Sequence, residues 1–350
     1  MKAAKNTVCD QKAIILQIQR MSTEDGPGIR TTVFFKGCSL NCLWCQNPES
    51  ISMKPEIQWM GTRCIGCLTC VHVCPKGALS ADDAGIVIDR NLCDRCGLCT
   101  EKCPSTAMDL IGREWSLDAL ADEVQKDRVY FEKSGGGITL SGGEPAMQAQ
   151  FAADFLAEMH RRGIHTALDT CGHCSRGTLE ILLPHADLVL YDIKDIDPEW
   201  HRRFTGSSNE RILENSILVA RHMKELGRPE SLWIRTPVIP DATAREENIR
   251  GIGRFIADNL HPAVQRWELC SFNTLCRDKY VRLNREWFFR DHDSLTAEFM
   301  ERIAAIARDS GIDPALVHWS GPTKFESAPE PEGEAEPASK KAERRIGMET

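Results

Sequence analysis

Sixteen of the 350 residues are cysteine, and eleven of them fall in three windows with metal-ligand spacing. In the first window Cys38, Cys42 and Cys45 share one short loop that follows the strand-like run Thr32-Val33-Phe34-Phe35. Three thiolates can hold a four-iron cubane and leave one iron open, and an open coordination position is where a small molecule meets a metal. On spacing alone, a structural zinc or a four-cysteine cluster completed by Cys9 or Cys171 is the alternative.

The other two windows, Cys64-x2-Cys67-x2-Cys70-x3-Cys74-Pro75 and Cys93-x2-Cys96-x2-Cys99-x3-Cys103-Pro104, repeat the bacterial ferredoxin run. In two-cluster ferredoxins the fourth cysteine of each run serves the other cluster. Cys64, Cys67, Cys70 and Cys103 are therefore expected around one cubane, and Cys93, Cys96, Cys99 and Cys74 around a second. With the first window that makes three [4Fe-4S] clusters. Eight thiolates in this spacing, each run closed by proline, argue against a zinc ribbon. The pair either relays electrons to the first cluster or staples a docking surface, and spacing does not choose between these.

Free thiolates need a reducing compartment. The start, MKAAKNTVCDQK, has no apolar run behind its charges, and no stretch approaches the ~18 apolar residues of a membrane helix. A cytoplasmic setting with no membrane partner is expected, and there metal binding is a better reading of clustered cysteines than disulfides. Lys+Arg 43 against Asp+Glu 51 gives a formal charge of -8 with no basic stripe, which argues against nucleic acid as a partner.

These sites need a scaffold. The stretch 51–110 is rich in turns and poor in large apolar residues, so it reads as an inserted ferredoxin-like domain held by metal. On either side, 1–50 and 111–325 read as one discontinuous domain. There, strand-like runs (Ile138-Thr139-Leu140, Thr166-Ala167-Leu168, Leu188 to Tyr191, Leu232 to Arg235, Trp267 to Leu269) alternate with helical stretches such as Ile212 to Leu226 and Asn248 to Leu260. Repeated βα units predict an α/β fold with a parallel sheet closed wholly or partly into a (β/α) barrel, its active residues at the C-terminal strand ends. Residues 326–350, rich in Glu, Pro, Ala and Lys, read as a disordered tail.

The spacing Cys38-x3-Cys42-x2-Cys45, with Trp44 before the last cysteine, resembles the radical S-adenosylmethionine superfamily. That resemblance implies that the open iron binds the amino and carboxylate groups of S-adenosylmethionine and that one electron splits it into methionine and a 5′-deoxyadenosyl radical. Ser141-Gly142-Gly143-Glu144-Pro145 resembles the family's GGEP loop. Its glycines would let backbone approach the ligand, and Glu144 would hold the ligand's ammonium. Asp25-Gly26-Pro27-Gly28-Ile29-Arg30 resembles the leading signature of glycyl radical enzyme activating enzymes, with further matches at Asp169-Thr170-Cys171-Gly172, Asp192-Ile193-Lys194 and Arg235-Thr236-Pro237. The likeness extends to about Lys324.

By this resemblance Asp192 and Lys194 are the catalytic pair in contact with the cofactor, and Arg235 lies near its ribose or carboxylate end. Asp169, Thr170 and Asp192 are implied as a monovalent cation site, with helix capping as their plainer role. Two positions depart from the smaller family members: Asn273 stands where a His contacts adenosine, and Gln46 stands where many have His. The implied activity is abstraction of hydrogen from a backbone glycine of a partner glycyl radical enzyme, with reduced ferredoxin or flavodoxin as electron donor. The insert is similar to that of the larger activases, and the stretch Glu268 to Tyr280 looks most like activases of sulfonate-cleaving lyases such as isethionate sulfite-lyase. A radical enzyme acting on a small molecule or peptide, and a multi-cluster electron-transfer protein, are the competing readings.

Overall fold

The computed structural model describes residues 11–324; the expected tail and Cys9 lie outside them. Thirteen strands occur in chain order: β1 (Lys12–Ser22), β2 (Arg30–Phe35), β3 (Glu56–Trp59), β4 (Leu79–Asp82), β5 (Gly85–Ile88), β6 (Met108–Ile111), β7 (Arg113–Ser116), β8 (Gly137–Gly142), β9 (His165–Thr170), β10 (Leu188–Asp192), β11 (Ser231–Val238), β12 (Val264–Ser271) and β13 (Val317–Ser320). Nine form one sheet in the order β13-β12-β11-β10-β9-β8-β2-β1-β7.

From β2 to β13 every neighbouring pair is parallel, and helices connect the strands. The run 149–161 shows why. Phe151, Phe155, Leu156 and Met159 recur at helical spacing and are all buried, while Gly163 at φ 72 lets the chain turn back into β9. Strands β8 and β10 are buried on nearly every residue, as expected where helices cover both faces of a parallel sheet. The apolar runs predicted as strands coincide with β2 and β8 to β12. The sheet does not close: among the described residues β13 and β7 are its two ends.

Two strands at the β7 end were not predicted. β1 alternates buried and exposed residues along much of its length and pairs antiparallel with both β2 and β7, so it has one solvated face and a weaker apolar signal. The chain between β2 and β7 leaves the sheet. There β3 pairs with β6 and β4 with β5, around a small core of Ile57, Cys70, Leu79, Cys99 and Met108. Two short helices, Thr69–Val73 and Leu98–Glu101, each follow a residue in the left-handed region, Leu68 and Gly97, so the two cysteine runs share one local geometry.

Candidate active site

β2 delivers Cys38 to the C-terminal edge of the sheet, and the loop that follows is clamped from two sides. Gly37 and Cys38 donate their amides to the carbonyls of Ser50 (2.7 Å) and Ile51 (3.1 Å), while Asn41 and Leu43 donate to Thr205 (2.8 Å) and Phe204 (2.9 Å) at the end of helix Pro198–Thr205. Trp44 is buried and lies 6.2 Å from the Phe204 ring, which seats the loop on that helix.

Cys38, Cys42 and Cys45 open into one cavity of about 640 Å³. Its walls bring together most of the residues singled out from sequence: Trp44, Gly142 and Gly143 at the end of β8, Asp192 and Lys194 at the end of β10, Arg235 of β11 and Asn273 after β12. Asp169 and Thr170 from β9 also face it. Parallel strands place their C-terminal ends along one edge of the sheet, so residues more than 200 positions apart meet there.

The charged groups in this cavity are mutually paired. Lys194 forms an ion pair with Asp192. Burial opposes its charge, but Asp192 and the Cys42 and Cys171 thiols outweigh that and hold the Lys194 pKa above the ordinary lysine value. Arg235 lies between Glu268 (3.3 Å) and Asp169 (3.8 Å), and its Nε atom is buried without a hydrogen-bond partner. Asp169 also accepts a 2.6 Å hydrogen bond from Ser141, and burial pushes its carboxyl up against the pull of Arg235. Burial raises the Cys42 thiol to about 12 and carries Cys45 higher still. Such thiols ionise readily only beside a compensating cation, which is the condition a bound metal cluster meets.

Glu144 occupies a different place from the one expected. It is fully buried and does not line the cavity. Its carboxylate accepts from the Thr170 hydroxyl (2.8 Å), the Cys171 amide (2.8 Å) and the Ala146 amide (3.0 Å), tying the loop after β8 to the end of β9. A carboxylate removed from water takes whatever donors reach it, and three are supplied by its own neighbourhood. The glycines beside it serve packing as well as access. A Cβ on Gly142 would overlap the β2 backbone, and one on Gly143 would overlap the carbonyl oxygen of Gly37. In their place the Gly143 amide donates to Phe35 (2.9 Å) and the Glu144 amide to Gly37 (2.7 Å), so this loop is bonded to the strand end that presents Cys38.

The groups implied as a cation site are likewise engaged, Thr170 with Glu144, Asp169 with Ser141 and Asp192 with Lys194. Arg30 of the leading signature is wholly buried and reaches Thr139 (2.6 Å) and the carbonyl of Pro27 (3.2 Å), a tie within the fold rather than a wall of the cavity. Cys171, weighed in sequence only as an alternative cluster ligand, and Cys270, which sequence left unassigned, both line the cavity. Cys171 lies 3.8 Å from the Ser39 hydroxyl, and its proximity lowers the pKa of the Cys38 thiol. Glu268, also unassigned, pairs with Arg235 and Arg266 (3.1 Å). No alternation in β12 marks it, because Trp267, Glu268 and Leu269 are all buried.

In the 51–111 region the eight cysteines line two separate hollows. Cys64, Cys67, Cys70 and Cys103 border one, and Cys74, Cys93, Cys96 and Cys99 the other. Burial and then the neighbouring thiols Cys93 and Cys96 raise Cys99 to about 11. Among the described residues no three His, Cys, Asp or Glu side chains close around a point as a single-ion site requires.

The chain matches the Radical SAM superfamily over residues 32–250. It is 44% identical over 278 residues to the isethionate sulfite-lyase activating enzyme of Oleidesulfovibrio alaskensis, covering 78% of this chain and 87% of that protein. It is 39% identical over 280 residues to the (2S)-3-sulfopropanediol sulfolyase activating enzyme of Bilophila wadsworthia, covering 79% and 90%. It is 35% identical over 318 residues to the indoleacetate decarboxylase activating enzyme of Tractidigestivibacter scatoligenes, covering 88% and 98%. The chain belongs to the radical S-adenosylmethionine superfamily, among the activating enzymes of glycyl radical enzymes.

Proposed function

We propose that this chain reductively cleaves S-adenosylmethionine and takes a hydrogen atom from a backbone glycine of a partner lyase, with isethionate sulfite-lyase the first choice of partner. The observation that carries the reading is the cavity in which three partly buried thiols face the Asp192-Lys194 pair and Arg235. Cys38, Cys42 and Cys45 would hold a [4Fe-4S] cluster, which would supply the one electron that reductive cleavage of S-adenosylmethionine requires.

The chain's own residues do the rest. Gly142 and Gly143 keep the cavity wall free of side chains where the ligand's methionine end approaches. Lys194 and Asp192 orient the ligand through its charged and hydroxyl groups, and Arg235, held by Glu268, faces its ribose or carboxylate end. Trp44 shields the cysteine loop from water. Asn273 contributes a backbone carbonyl to Gln46 (3.1 Å) and a side-chain oxygen to the Leu275 amide (3.1 Å), leaving its side-chain amide nitrogen for the adenosine. Glycine suits the partner's reacting residue because it lacks a Cβ and can bring its Cα beside the 5′-carbon.

The two hollows of the insert are read as sites of two further [4Fe-4S] clusters with crossed ligation, accepting electrons from reduced ferredoxin or flavodoxin. Eight thiols grouped four and four, each group drawing its fourth member from the other run, support this. The test is anaerobic mixing of the reduced protein, S-adenosylmethionine and isethionate sulfite-lyase, followed by EPR. A glycyl-radical doublet is expected. Radical on another lyase alone would reject the partner, and radical on none despite 5′-deoxyadenosine release would favour a small-molecule substrate.

A further inference from the structure

The stretch Cys276 to Arg285 plays no part in the chemistry above, yet it touches both cysteine-bearing regions. On one side, helix Arg277–Arg282 grips the end of the catalytic cysteine loop. The Tyr280 hydroxyl donates to the carbonyl of Cys45 (3.0 Å), and its ring is buried and stacked on Trp287 at 5.5 Å. Lys279 donates to the carbonyl of Gln46 (3.0 Å) and to Asn47 Oδ1 (2.7 Å), and pairs with Glu49 (2.9 Å). Arg285 donates to the carbonyl of Pro48 (2.8 Å). Every residue from Cys45 to Glu49 is thus held by this one segment.

On the other side the same segment is held by the insert. Arg90 lies three residues before Cys93. Its Nε donates to the carbonyl of Leu283 (3.0 Å), its Nη2 to that of Arg282 (3.2 Å) and its Nη1 to that of Ile57 in β3 (3.2 Å). The last carbonyls of a helix lack partners within it, and here a guanidinium of the insert supplies them. Arg282 and Arg285 return the contact, to Gln58 (3.1 Å) and Glu56 (3.2 Å).

We propose that helix Arg277–Arg282 is a strut that makes the placement of the catalytic cysteine loop depend on the insert, with Arg90 and Tyr280 as positioning residues at its two ends. The inference rests on the reading of Cys38, Cys42 and Cys45 as cluster ligands, because Tyr280 bonds to Cys45 itself. It gives the insert a mechanical role whether or not electrons pass through it. Any change that displaces the turn carrying Arg90 and Cys93 releases the helix end and so loosens the backbone on which Cys45 is mounted.

The experiment compares anaerobic holoenzyme of wild type, Arg90→Ala, Arg90→Lys, Tyr280→Phe and the Arg90→Ala/Tyr280→Phe double variant. It reads amide hydrogen exchange over residues 45–51 and the change in the reduced-cluster EPR spectrum when S-adenosylmethionine is added. Each single variant is expected to speed exchange over 45–51 roughly tenfold, the factor one ordinary hydrogen bond represents. The double variant should be little faster than either single one, because both break the same connection. Arg90→Lys keeps the charge but loses the planar fork whose separate nitrogens reach Leu283, Arg282 and Ile57, so it should behave much as Arg90→Ala. Both Arg90 variants should also alter the S-adenosylmethionine-induced EPR change.

Exchange over 45–51 and an EPR change both left at wild-type values in the Arg90 variants, with loosening confined to the insert, would overturn the strut. Full additivity in the double variant would do the same. Iron content separates this from the functional reading. Roughly four irons per chain would remove the two insert clusters while leaving the exchange test valid, and roughly twelve with no coupling would remove the strut while leaving the clusters.

Discussion

The two cysteine-bearing regions are built on opposite principles. The loop of Cys38, Cys42 and Cys45 rests on a nine-stranded sheet with an extensive apolar core, and its backbone is hydrogen-bonded to the loop after β8, to helix Pro198–Thr205 and to residues 50–51. The insert's apolar cluster has five buried residues, two of them cysteines proposed as ligands. A protein fold prepares the first site before any metal arrives. In the second, the proposed clusters and the fold would form together, because so small a core does little to repay the chain's ordering entropy. The difference teaches where rigidity is needed: the loop proposed to position a reactive ligand is held by the scaffold, and the proposed cluster sites of the insert would use the clusters themselves as core.

Removing metal should break this contrast most visibly. Anaerobic chelation is expected to abolish amide protection across 56–111 while strands β8 to β12 keep theirs, measured by hydrogen exchange. Equal loss in both regions would show that the sheet, too, depends on metal. Next in size, replacing Cys38, Cys42 and Cys45 together by Ala should eliminate 5′-deoxyadenosine formation and remove about a third of the iron, given cubanes at all three sites. The circular dichroism spectrum should barely change. Loss of the helical signal would mean that this loop is metal-built after all.

Gly143→Ala sharpens the comparison from the protein side. A Cβ there overlaps the Gly37 carbonyl, so the loop after β8 must separate from the strand end that presents Cys38. Cleavage activity is expected to fall on the order of 100-fold, the cost of a misplacement of about 1 Å, while iron content holds. Wild-type turnover would show that this close approach is dispensable.

The smallest effect concerns pH. His201, on the helix that seats the cysteine loop, is buried, and burial lowers its pKa to about 4. Its Nδ1 lies 2.6 Å from the carbonyl of Ser207, while its Nε2 has no partner. An unfolded histidine titrates near 6.5, so between there and pH 4 the unfolded chain binds the extra proton and the fold does not. The stability this site contributes is complete above about pH 6.5 and is lost as pH falls toward 4, by roughly 3 kcal/mol at 1.36 kcal/mol per unit. Urea unfolding of the holoprotein at pH 7 and pH 5 should show the decline, and His201→Gln should flatten it. An unchanged slope in the variant would assign acid sensitivity to other groups.

The residues themselves determined a good deal. Cysteine spacing is a local property, and a loop of a few residues leaves little freedom in what three or four thiols can reach. Strands β2 and β8 to β12 were legible because a parallel sheet covered by helices demands short unbroken apolar runs, and helices such as Glu210–Leu226 because burial of one face imposes a 3.6-residue period. Only the tertiary structure decided the rest. β1 and β7 carry a half-buried pattern that many loops share, so nothing local marks them as the sheet's antiparallel end. Glu144 reads in sequence as a ligand to a cation, yet its partners, Thr170 and Cys171, come from the next strand, and which donors a buried carboxylate finds depends on what folds around it. The contacts of Arg90 with Arg282 and Leu283 span about 190 positions of chain. No spacing rule reaches across that separation, because a hydrogen bond is specified by distance in space, and the packing of the whole chain is what sets that distance.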